Sequence, residues 1–185
     1  MAIIKPNNNT ISAITALPAS ISTGKVLQVQ TTTKTDTFSA SIASNDDSAV
    51  TGLTVNITPS ASNSKVLVFY SVMGASSTGN RQATIPIRLY RGSSAAPLGD
   101  SASNRGRVTA LQSTNGTDDG NVAVTVSGNY LDSPSSTSQV TYSIRIFNIS
   151  SSSTAYSVNR TDGDGDYNNF RPRGTSTITV MEVSA

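Results

Sequence analysis

Apolar and polar residues alternate along much of this chain, the pattern of a strand with one face buried and the other in water. Leu27 and Val29 alternate with Gln28 and Gln30, and Leu53, Val55 and Ile57 with Thr54, Asn56 and Thr58. Ile85, Ile87 and Leu89 alternate with Thr84, Pro86 and Arg88; Val122, Val124 and Val126 repeat the pattern, as do Val140, Tyr142, Ile144 and Ile146. Each run predicts a half-buried strand with the named apolar residues inward. Residues 66–70 are apolar on both faces, which predicts a central strand covered on both sides or a strand at a subunit contact. Pro86 has no N–H to give to a ladder and points to an edge or a bulge.

Turn signals separate these runs at the spacing of a sandwich or barrel: Asn45-Asp46-Asp47-Ser48, Thr58-Pro59-Ser60, Arg91-Gly92-Ser93-Ser94, Asn115-Gly116, Ser133-Pro134-Ser135 and Asp162-Gly163-Asp164-Gly165. No stretch repeats apolar residues at helical spacing over ten positions. The expected fold is all-β, an antiparallel β-sandwich head over residues 24–185. Residues 1–23 read differently, with Ile3, Ile4, Ile11, Ile14, Leu17 and Ile21 at neither strand nor helix period among Pro6, Asn7, Asn8, Asn9 and Pro18. They predict an extended arm whose large aliphatic side chains seek burial, along its own domain or on a partner.

Composition narrows the chemistry. The 185 residues contain no His, Cys or Trp, and 13% are charged, against roughly 25% in an average domain. Ser-His-Asp, Cys-His and His-ligated metal catalysis are therefore excluded, as are disulfides and thiolate metal sites. Ser and Thr make up about 55 residues, a composition of strands, turns and a neutral surface. The chain opens with one Lys followed by Pro and Asn where a leader would be apolar, and residues 66–70, its longest apolar run, are too few to span a bilayer. A soluble protein without membrane partner is expected. Thirteen basic against eleven acidic groups give a net charge of +2, a weak footprint for nucleic acid, and Arg88, Arg91, Arg105 and Arg107 are expected to form a solvated face.

Two local features are candidate sites. Asp162, Asp164 and Asp166 stand at positions 1, 3 and 5 of a calcium-type loop, but Tyr167 and Arg173 occupy positions where such a loop needs Gly and a bidentate acid. Asp-Gly repeats also make good tight turns, so no metal or other cofactor is expected, with calcium the weak alternative. The loop continues through Tyr167, Asn168, Phe170, Arg171 and Arg173, a mixture suited to gripping a sugar or a partner surface. The remaining Asp residues fall in predicted turns, where their turn-forming side chains explain them better than acid/base work does.

Several stretches in their order carry a resemblance: Gly24-Lys25-Val26-Leu27-Gln28-Val29, Thr33-Lys34-Thr35-Asp36-Thr37-Phe38-Ser39, Thr51-Gly52-Leu53-Thr54-Val55-Asn56-Ile57-Thr58-Pro59-Ser60 and Asn63-Ser64-Lys65-Val66-Leu67-Val68. They continue with Arg88-Leu89-Tyr90-Arg91-Gly92-Ser93, Asn129-Tyr130-Leu131-Asp132-Ser133-Pro134, Asn159-Arg160 and Ser176-Thr177-Ile178-Thr179-Val180-Met181-Glu182-Val183. Together they resemble a family of virion structural proteins of tailed bacteriophages, common among phages of aquatic bacteria including cyanobacteria and often labelled tail-fibre-like. The resemblance covers nearly all of residues 24–185. It implies a jelly-roll-like sandwich on the virion surface, assembled as a homotrimer, with no catalytic residues to carry over. The arm would then hold other virion proteins of capsid or tail, the role of a capsid decoration (cement) or short fibre protein. The alternatives are a tail-fibre module recognising host surface glycan, against which the lack of Trp counts, and a glycan depolymerase.

Overall fold

The computed structural model describes residues 25–77, 82–115, 121–166 and 170–184; the expected arm lies outside them. Among the described residues there are eleven strands and no helix. The strands β1 (Val26–Lys34) and β2 (Phe38–Ile42) form one edge column, β1 pairing with β11 (Ser176–Val183) and β2 with β10 (Thr154–Val158). The spine of this first sheet is the 13-residue β4 (Lys65–Ser77), flanked by β11 and then β10 on one side and by β8 (Val124–Asp132) on the other. The second sheet runs β3 (Asp47–Ile57), β9 (Val140–Phe147), β5 (Gln82–Arg91), with β6 (Ser94–Ala95) and β7 (Ala110–Asn115) beyond β5. All pairs are antiparallel. The order β1-β11-β4-β8 facing β3-β9-β5-β7 is the double Greek-key wind of a jelly roll.

The core lies between the sheets, where the alternation put it. Leu53, Val55 and Ile57 meet Ile85, Ile87, Leu89, Tyr142, Ile144 and Ile146 from one sheet and Val66, Val68, Tyr70, Val72, Val126, Ile178 and Val180 from the other, all buried. In β3 the register slips between Ala49 and Thr54, and Gly52 sits there at φ 83°. That bulge resets the two-residue phase, so Val50 and Leu53 both face inward. Where β4 passes β10, a Cβ at Gly74 would collide with the Ser157 carbonyl oxygen and Ile85 Cδ1, so only glycine lets the strands approach.

Three expectations from the pattern are corrected. Leu27 and Val29 face outward, 46% and 49% exposed, while Gln28, Thr32 and Lys34 turn inward. The reason is position: the inner side of this edge strand lies against backbone carbonyls of the second sheet, which need donors rather than methyl groups. Gln28 Nε2 donates to the Thr58 carbonyl and Thr32 Oγ1 to the Thr54 carbonyl, 2.7 and 2.8 Å away. Pro86 lies inside the sheet, in a strand paired on both sides, but the ladder to β9 starts one residue later at Ile87. Val122 precedes β8 and only Val124 and Val126 belong to it. Residues 66–70 form a central strand that the described residues cover on one face: Phe69 is 39% exposed on the other.

Candidate functional site

The Asp-Gly loop between β10 and β11 is rooted in Asn159, buried at φ 61°. Its Nδ2 donates to the carbonyls of Lys34 and Asp36, and its Oδ1 accepts from Ser176 Oγ at 2.6 Å. One amide thus ties the loop to the β1–β2 corner and to the start of β11. Arg160 then donates to the carbonyls of Thr161 and Asp162 and to Ser39 Oγ. Asp164 is held by the guanidinium of Arg173, with Arg160 Nε 3.9 Å away. Asp162, Asp164 and Asp166 do not converge, and no cluster among the described residues could hold a metal ion. The loop carboxylate that calcium would need is used as an anion for two arginines. Of the recognition residues, Tyr167 and Asn168 lie outside the described residues; Phe170 is 59% exposed, and Arg171 Nε donates to Asn121 Oδ1 at 2.9 Å. Phe170, Arg171 and Arg173 therefore share one end of the sandwich, with both arginines engaged within the protein.

The other charged groups hold strands together. Asp47 opens β3 and accepts from Arg88 Nη1 at 3.0 Å and Tyr90 OH at 2.7 Å, while Arg145 Nε stands 2.6 Å away as an ion pair outside hydrogen-bonding geometry. Arg88 lies 3.5 Å above the Phe147 ring and Arg145 4.8 Å above Tyr90. Burial, with Asp47 beside it, raises the Tyr90 pKa. Asp132 closes β8, accepts from Arg91 Nη1 at 3.0 and 3.1 Å and from Tyr142 OH at 2.7 Å. Burial chiefly, then that hydrogen bond, pushes the Tyr142 hydroxyl far above its ordinary value, which keeps it a donor. The expectation that every Asp serves a turn is thus corrected for Asp47 and Asp132. The four clustered arginines are likewise more than a solvated face: Arg88 and Arg91 are paired, and Arg107 Nε donates to the Gly99 carbonyl.

Glu182 is the deepest acid, wholly buried in β11. Burial raises its pKa, but hydrogen bonds from Gln28 Nε2, Ser60 N and Oγ, and Ser64 outweigh that and hold it at about 2. Its charge clamps the Pro59-Ser60 turn onto β1 and β11.

The feature that the pattern did not locate is the outer face of the first sheet. Val29, Met181, Leu67 and Leu131 stand opposite one another in register, one row across four strands. Thr31, Thr179, Phe69 and Asn129 form the next row, and Leu27 and Val183 border the first. The two signals for it were the double-faced run at 66–70 and the apolar residues of β1, which periodicity assigned inward. Lys25, the first described residue, lies beside this face, its N donating to Ser184 Oγ at 3.0 Å. No family model matches the chain, and comparison with curated proteins gives no significant match.

Proposed function

We propose that this chain is a non-enzymatic structural protein of a tailed-bacteriophage particle, displayed on the virion surface as a capsid decoration or short fibre protein. Residues 1–23 anchor it to capsid or tail, and the head assembles as a homotrimer. The order of motifs across residues 24–185 supplies the phage assignment. The observation that carries the structural role is the use of three acids: Asp47, Asp132 and Glu182 are each enclosed by arginine, tyrosine, glutamine or serine donors that join strands. Such groups make the sandwich rigid rather than reactive.

The test is location. Gold labelling of a C-terminal tag on intact particles is expected to decorate the capsid. Label confined to the tail overturns the decoration role in favour of a receptor-binding fibre, and absence of the chain from purified particles overturns the assignment altogether. Deleting residues 1–23 is expected to leave the circular-dichroism spectrum of the head unchanged while abolishing incorporation.

A further inference from the structure

We infer that the outer face of the β1-β11-β4-β8 sheet is an interface between copies of this chain. The inference rests on reading the chain as an assembling protein and names the surface that does the assembling. Val29 is 49% exposed, Leu131 55%, Leu27 46%, Val26 56% and Phe69 39%, and all lie on this face or at its margin. Burying large aliphatic and aromatic side chains is the main drive for association, and a contiguous apolar patch on a sheet marks an interaction surface.

Three properties make a second copy the occupant. The first is charge: among the outward positions of these four strands Lys65 alone is ionisable, and its ammonium donates to Ser133 Oγ at 2.8 Å. Two such faces meet without burying like charges, and a charged ligand finds nothing there to pair with. The second is shape. Beside the ridge of Val29, Met181, Leu67 and Leu131 lies an open depression of about 410 Å³, framed by Phe69, Ser71, Ser127, Asn129, Thr177 and Thr179. Ridge and hollow on one face are the two halves of a contact, and Leu131 projects from β8, which has no ladder partner beyond it among the described residues. Packing the ridge of one copy into the hollow of another buries the exposed side chains of both. The third is size. Four strands spaced ~4.8 Å apart and eight residues long at ~3.3 Å each present about 500 Å² in projection. Corrugated by side chains, that approaches the roughly 800 Å² that each partner contributes to a stable interface.

The experiment uses the full chain, its mass measured by light scattering on a sizing column. The wild type and Leu111→Asp, a control at an exposed apolar residue of the other sheet, are expected to run as oligomers; Leu67→Asp and Leu131→Asp are expected to run as monomers with an unchanged circular-dichroism spectrum. A monomeric wild type, or oligomers retained in both aspartate variants, overturns the proposal. The chain has no cysteine, so Thr179→Cys gives a unique thiol, expected to react with maleimide at least tenfold more slowly in the oligomer than Gln112→Cys. Equal rates overturn the interface, and so does a protected Thr179→Cys in a monomeric chain, which would mean that residues 1–23 cover their own head. A monomer that still enters particles overturns the interface alone; an oligomer absent from particles overturns only the particle assignment.

Discussion

The two sheets treat an outward aromatic ring in opposite ways. On the second sheet, Phe147 is 3% exposed: Arg88 lies over its ring, and the approach at Gly106 is so close that a Cβ there would meet Phe147 Cε1. Tyr90 lies beneath Arg145, and Asp47 neutralises the two guanidiniums that would otherwise face each other across β5 and β9. On the first sheet, Phe69, Leu131 and Val29 have no such lid among the described residues. The contrast shows that this chain can cover an outward aromatic with its own side chains. Where it does so, the face is closed; over β1, β11, β4 and β8 the described residues leave apolar side chains in water, and that is the face proposed above as the interface.

The largest effect that tests this contrast is expected from Phe147→Ala, which empties a filled site and should cost about 3 kcal/mol in urea unfolding. A loss below about 1 kcal/mol would mean that the arginine lid covers nothing of consequence. Next, Asp47→Ala strands Arg88, Arg145 and Tyr90 and should cost about 2 kcal/mol, with more of the loss recovered in high salt than for Phe147→Ala. Glu182→Gln should cost about 1.5 kcal/mol at neutral pH, the value of hydrogen bonds to a charged acceptor. It should also change the acid limb of stability. The folded pKa of Glu182, about 2, lies below the 4.5 ordinary for a glutamate. Its contribution is therefore fully present above about pH 4.5 and is lost as pH falls toward 2; pH-dependent unfolding should flatten across that window in Glu182→Gln and not in wild type. The smallest effect is Phe69→Ala, expected to cost less than about 1 kcal/mol in dilute solution, because a side chain already in water loses little on truncation. If it costs as much as Phe147→Ala, the two faces do not differ.

Alternation read β5 and β9 correctly and failed at β1. Ile87 and Ile144 lie in strands paired on both sides, so one face must be core and period two identifies it. Leu27 and Val29 show the same period in an edge strand, where the inward side meets carbonyls of the other sheet at Thr54 and Thr58. The alternation was real but its direction was reversed. The Asp-Gly loop was legible as a turn. That Asp164 answers Arg173 rather than an ion was not, because the two stand nine positions apart and meet only in the folded protein.

By itself, then, the sequence determined the strands, the turns, the absence of thiol and imidazole chemistry, and an all-β head behind an apolar N-terminal segment, since these follow from local period and residue type. Only the tertiary structure decided which side of β1 meets the core, which carboxylates become strand clasps, and that Val29, Met181, Leu67 and Leu131, drawn from four distant segments, line up as one row on the outer face. Register between strands far apart in the chain is set by packing of the whole sandwich, and no window of sequence contains it.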